Sequence, residues 1–197
     1  MGEKLTDQQG QKLLKLARMS IARKFGIETE GKDPDLLKKE FSDAAFHEKR
    51  GVFVTLLLDG KLRGCIGHLQ PDETVVEGVR QNALNAAFED PRFPPLSPEE
   101  LERIAIEVSI LTKPEPLEYR DKNDLLAKLT PYSDGVILGK DNKKATFLPQ
   151  VWEQVSGPEE FLSHLCRKAG IPADQWKKGD LEVRVYRVES FEEALDN

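Results

Sequence analysis

The stretch Leu62-Arg63-Gly64-Cys65-Ile66-Gly67-His68 gathers a guanidinium, a thiol, an imidazole and two glycines. On a strand, alternate residues share a face, so Arg63, Cys65 and Gly67 point one way and Leu62, Gly64 and Ile66 the other. Arg63 and Cys65 then stand ~7 Å apart. A guanidinium beside a thiol stabilises thiolate, so the pair suits a reactive cysteine or an anion site. Two glycines inside one short strand weaken it and leave backbone uncovered, which is tolerated where another group must come close. Gly64 and Gly67 therefore join Arg63 as candidate ligand contacts, and Cys65 is the candidate nucleophile or redox thiol. The competing reading of Cys65 is a small buried hydrophobe.

Two further residues qualify. Glu107, in Ile106-Glu107-Val108-Ser109-Ile110, shares a strand face with Ala105, Ser109 and Leu111. It reads either as part of a solvated outer face or as a cleft carboxylate, serving as general base or as the partner of Arg63. Arg92, in Asp90-Pro91-Arg92-Phe93-Pro94-Pro95, is either punctuation between elements or a second cation for the same pocket. A metal is disfavoured by spacing. Cys65 and His68 lie three apart on a strand and face opposite sides, while His164 and Cys166 diverge on a helix. Cys166, beside Phe161, Leu162 and Leu165, reads as core, and His47 lies in a charged, solvated stretch. No phosphate loop, His-Glu-x-x-His or Gly-x-Ser-x-Gly motif is present.

The elements that must position these residues follow from periodicity. Thr6 with Gln9 and Thr74 with Glu77 are capping-box pairs, opening helices that run to Gly26 and to Asp90-Pro91. A short helix is expected over Leu36 to Phe41. Val52 to Leu58 and Lys61 to Leu69 flank Asp59-Gly60, a hairpin signal, and the first of these strands is apolar on both faces and so central. Pro98 follows Ser97 at a helix start, and Ile104 to Leu111 alternates as a strand. Asp124 to Leu129 reads as a helical turn, and a second hairpin turns at Asp141-Asn142. Pro149 to Val155 and Pro158 to Ala169 read as helices, and Leu181 to Val188 as a late strand. Hairpins mixed with helices, without a βαβ rhythm, predict an α+β fold with a largely antiparallel sheet flanked by helices.

Length and composition bound the rest. The chain of 197 residues suits one domain, or one domain with a small lobe. Its net charge of −6 repels phosphate backbones and argues against nucleic acid as a partner. The beginning, Met1-Gly2-Glu3-Lys4, lacks an apolar targeting region, and no apolar run reaches membrane-span length. The expectation is a cytoplasmic protein in which both cysteines are free thiols.

Leu62-Arg63-Gly64-Cys65-Ile66-Gly67 resembles the signature of the AMMECR-one family, found in bacteria, archaea and eukaryotes. Asp90-Pro91-Arg92-Phe93-Pro94-Pro95-Leu96, Glu107-Val108-Ser109, Thr146 to Trp152 and Phe161 to Cys166 resemble further pieces of it, in order, across roughly residues 10 to 190. The resemblance implies an α+β fold with a larger and a smaller lobe, and a signature lying on a cleft or surface. Microbial relatives are similar to protein A of the AmmeMemoRadiSam grouping, which implies Memo-like and radical SAM proteins as partners. It implies no established reaction, and the cofactor is unknown.

Three functions follow. The first is an enzyme or modification factor built on Cys65, with Arg63 holding an anion and Glu107 accepting a proton. The second is a non-catalytic module using Leu62 to Gly67 as a binding edge for a protein or small ligand. Nucleic-acid association ranks behind both.

Overall fold

In the computed structural model, residues 4–27, 40–69 and 72–194 are described. Thr6 opens the first helix as its sequence requires: its hydroxyl accepts the Gln9 N–H, and the Gln9 side chain accepts the Thr6 N–H. The helix α1 (Asp7–Lys24) ends before Gly26, whose φ of +73° only glycine adopts at no steric cost. The helix expected over Leu36 to Phe41 falls largely outside the described residues.

The chain forms two compact units, Met1–Leu111 with Glu189–Asn197, and Thr112–Val188. In the first, α2 (Ala44–His47) precedes β1 (Val52–Leu58) and β2 (Lys61–His68). Next come α3 (Val75–Phe88), the single turn α4 (Pro98–Leu101) and β3 (Ile104–Leu111). The last strand of the chain, β8 (Val188–Glu192), completes a sheet ordered β2-β1-β3-β8. The doubly apolar β1 lies in its middle, antiparallel to both β2 and β3. One face of the sheet packs under α1 and α3. There Val52, Val54, Leu56, Ile106, Val108 and Ile110 meet Leu13, Ala17 and Ile21 of α1 and Val79 and Ala83 of α3, all fully buried. Each such aliphatic side chain contributes ~1.5–3 kcal/mol against exposure to water. Call this the helix face; the other is the far face.

The second unit holds β4 (Glu115–Pro116), α5 (Lys122–Lys128), β5 (Gly135–Lys140), β6 (Lys143–Phe147), α6 (Pro158–Lys168) and β7 (Glu182–Tyr186). Its sheet runs β4-β7-β5-β6, with the β5–β6 hairpin turning at Asp141-Asn142 as expected. Pro116 stands on an edge strand, where its missing N–H costs no ladder bond. Trp152 stacks on Phe161 with ring centroids 3.7 Å apart, over a core that includes Leu138, Leu165 and Cys166. Cys166 is thus core, as its helical neighbours implied.

One expected helix takes a tighter form, and one expectation needs correction. Pro149 to Val155 is a 3-10 helix over Pro149–Gln154 rather than an α-helix. The late strand is two strands in two different sheets, β7 and β8, parted at Arg187. The break is anchored by a reciprocal clasp: the Thr112 N–H donates to the Arg187 carbonyl, and the Arg187 N–H donates to the Thr112 hydroxyl, both at 2.8 Å. Helices with antiparallel sheets make the fold α+β. Among the described residues, no helix is long and apolar enough to cross a membrane.

Candidate functional site

Asp59 and Gly60 both have positive φ, +51° and +74°, the conformation of a two-residue hairpin turn matched to strand twist. This turn sets Leu58 opposite Lys61. Continued without interruption, it would set Cys65 opposite Val54, on the helix face. Instead the register shifts: Leu57 faces Leu62, Leu56 faces Gly64, and Arg63 is the extra residue of a β-bulge. A shift of one residue turns every later side chain over. Cys65 therefore stands opposite Thr55 on the far face, while Gly64 and Ile66 join the helix face with Leu56 and Val54.

The bulge also undoes the expected alternation of Arg63 with Cys65. Arg63 is only 8% exposed, and its guanidinium donates to Glu100 through Nε to Oε1 at 2.8 Å and Nη2 to Oε2 at 3.0 Å. Nη2 also reaches the Pro95 carbonyl at 3.3 Å. Glu100 lies on α4, and Arg63 holds its carboxyl below the usual carboxylate range against the opposing effect of burial. The carboxylate partner of Arg63 is thus Glu100, not Glu107, because the bulge sends Arg63 toward the turn that Pro98 and Ser97 begin.

The two glycines admit groups from within the protein. A Cβ on Gly64 would lie 2.2 Å from the Ala86 carbonyl oxygen of α3. A Cβ on Gly67 would lie 2.3 Å from the Phe53 ring, which lies across the strand there. Close approach is the expected reason for glycine, and the approaching groups are the Ala86 carbonyl at Gly64, and the Phe53 ring and the Val52 carbonyl at Gly67.

On the far face, Thr55 of β1 is opposite both Cys65 of β2 and Glu107 of β3, so the three form one row across adjacent strands. The Thr55 hydroxyl donates to the Cys65 sulfur at 3.3 Å. Glu107 accepts from the Ser109 hydroxyl at 3.0 Å, and Ser109 pairs with the Ser190 hydroxyl of β8 at 2.9 Å. Cys65 and Glu107 are half-buried, and Ala105, Ser109 and Leu111 on the same face are buried. That strand face of β3 is therefore not a solvated surface.

Arg92 comes to Cys65 through its backbone. As the outer strand of the sheet, β2 turns the Cys65 N–H and C=O away from β1. The Cys65 N–H donates to Asp90 Oδ2 at 2.9 Å, and the Cys65 carbonyl accepts from Arg92 Nη2 at 3.0 Å. Asp90 and Arg92 are themselves joined by Nε–Oδ1 at 2.9 Å and Nη2–Oδ2 at 2.7 Å. Asp90 is 4% exposed, and hydrogen bonds from Arg92 first, then from the Cys65 N–H, hold its carboxyl well below the usual range despite burial. Asp90 in turn raises the Arg92 guanidinium, with a smaller contribution from the Cys65 thiol. The guanidinium that faces the thiol is thus that of Arg92, which is half-exposed and lies over the Phe93 ring. At Cys65 the edge is sealed, so the backbone there offers no free pair of groups to an added strand.

His68 ends β2 on the helix face, with Nδ1 3.1 Å from the Asn82 amide nitrogen. Among the described residues no group of three or more His, Cys, Asp and Glu side chains is placed to hold a metal ion. A surface depression of about 450 Å³, bordered by Lys49, Glu77, Arg80 and Gln81, contains none of the expected site residues. Thr55 and Asp90 are the site residues that sequence reasoning missed. Thr55 is the one hydroxyl within an otherwise apolar strand, and Asp90 immediately precedes the proline of a turn; both were visible signals.

Comparison with known proteins accords with this architecture. The AMMECR1 family model matches residues 14–191. A protein from Methanopyrus kandleri is 41% identical over 98% of this chain and 92% of its own length. One from Methanothermobacter thermautotrophicus is 40% identical over 94% of each chain. The crystal structure of an uncharacterized protein from Pyrococcus horikoshii superposes with a TM-score of 0.76 at 36% identity, covering 98% of this chain and 95% of the other. With matches that run through both units and the whole Cys65 site, the chain belongs to the AMMECR1 family.

Proposed function

We propose that this protein is an enzyme or modification factor in which the Cys65 thiol attacks or carries a group. Glu107 accepts the proton by way of the Thr55 hydroxyl, which takes the thiol proton as it passes its own to the carboxylate and then donates to the thiolate, and Arg92 offsets negative charge on the reacting group. Arg63 contributes indirectly by filling the bulge and anchoring β2 to α4. The observation that carries this reading is the Cys65–Thr55–Glu107 row, with the Thr55 hydroxyl donating to sulfur. Bulges recur beside active sites, where they re-aim a side chain, and here the bulge turns the thiol out of the apolar core. The reading places the protein in the cytoplasm, where thiols stay reduced, alongside Memo-like and radical SAM proteins as the resemblance implies.

Thiol reactivity tests it. Native protein treated with iodoacetamide and read by peptide mass spectrometry is expected to label at Cys65 well before Cys166, which is fully buried. Glu107→Gln and Thr55→Val, both folded by circular dichroism, are expected to slow Cys65 labelling ~10-fold or more, the scale of a lost acid–base partner. Labelling of Cys65 only after denaturation, or a rate unmoved by both substitutions, would overturn the proposal.

A further inference from the structure

Resting on the Cys65 reading above, the geometry points to Phe53 as a substrate platform: we infer that the site takes a small molecule or group with a flat, conjugated or aromatic part. Phe53 and Gly67 are directly opposite each other on the far face, one pair along from Thr55 and Cys65. The Phe53 ring occupies the space that any side chain at position 67 would fill, with ring carbons 2.3 Å from the Cβ position. The ring is therefore laid down across β2 rather than standing clear of it, and its strand neighbour two residues back is the thiol, ~7 Å away along β2. Phe53 is half-buried, so part of its surface remains accessible. Around it the far face is polar and reactive: Thr55, Glu107, Ser109 and Ser190 form the hydroxyl and carboxylate series already described. A hydrophobic ring kept partly accessible beside a thiol and a bound carboxylate suits a ligand that stacks at one end and reacts at the other. Gly67 then has a specific task. It leaves the room in which the ring lies across β2, next to the Val52 carbonyl, which would itself stand 2.5 Å from a Cβ there.

The test uses two electrophiles of one chemistry, N-benzyl- and N-propyl-chloroacetamide, on the full-length protein. In each, the Cys65 sulfur forms a bond to carbon, the carbon–chlorine bond breaks, chloride leaves, and the thiol proton passes to Glu107 and from there to solvent. Rates at Cys65 are read by peptide mass spectrometry and divided by the rates of the same reagents with glutathione. The benzyl reagent is expected to gain roughly 3- to 10-fold over the propyl reagent, the range of one aromatic contact. Phe53→Leu, which keeps an apolar side chain but no ring, is expected to abolish that preference, so that the normalised benzyl and propyl rates become equal. Gly67→Ala should reduce the preference by lifting the ring, with thermal unfolding checking that the variant is folded. Equal normalised rates for the two reagents on the wild type would overturn the platform while leaving Cys65 reactive. A Phe53→Leu variant slowed equally toward both would assign Phe53 to packing alone and overturn it too. Failure of both reagents to label native Cys65 would sink the platform together with the thiol reading beneath it.

Discussion

Asp90 carries its charge inside the protein, with 4% of its surface exposed, and each oxygen is occupied by Arg92 or by the Cys65 N–H. Removing the charge leaves those donors poorly matched, so Asp90→Asn should cost about 2–3 kcal/mol at pH 7 in urea unfolding. The sign of the pH dependence follows from a depressed carboxyl. The stabilisation is fully present above the unfolded value of about 3.9 and is lost as pH falls from there toward the lower folded value. The gap between wild type and Asp90→Asn should therefore narrow by ~1 kcal/mol at pH 3. A gap that widened in acid would mean that the carboxyl is not held low. At this scale the sequence offered candidate residues more readily than the contacts each would make. Cys65, Glu107 and Arg92 were legible as chemistry, and all three meet the same site. Arg63 was assigned to the thiol because strand alternation is local, whereas its true partner Glu100 is distant in the chain.

Elements with local causes were legible. Both capping boxes, the Asp59-Gly60 turn and the central place of β1 follow from neighbours in sequence. The bulge was not legible, because it is a property of two strands paired together. Without it, the hairpin turn would set Thr55 opposite Gly64 and leave Cys65 facing the helices, so the row of reactive groups depends on one unpaired residue. The split between β7 and β8 was hidden for a similar reason: the alternation of Leu181 to Val188 runs through Arg187, and the clasp with Thr112 is made from afar. The bulge also explains why Gly64 must be small, since it turns that residue onto α3. Gly64→Ala would force its Cβ to within 2.2 Å of a backbone oxygen that cannot swing aside, so the strand or helix must move. A loss of about 1–3 kcal/mol is expected in chemical denaturation, as for other overpacked sites. A variant as stable as wild type would show that β2 and α3 are less tightly apposed than described.

Across the whole molecule, each unit has its own apolar core, one around Leu13, Val54 and Ile106 and the other around Trp152, Phe161 and Leu165. Every group proposed to act, from Phe53 to Ser190, belongs to the first unit. β3 and β8 lie side by side in the first sheet, with Ser109 against Ser190 and Glu193 against Ile106, so they run antiparallel. Thr112 and Arg187, where the chain leaves and returns, hold each other by two hydrogen bonds. In topological terms, everything from Thr112 to Val188 stands where an ordinary hairpin would need only a reverse turn. Joining Ile110 to Glu189, which that register sets directly opposite each other, through Asn-Gly should thus yield a miniature that keeps the sheet and still alkylates at Cys65 at a rate near that of the parent chain. Loss of cooperative unfolding in that miniature would mean that the larger half borrows its order from the smaller.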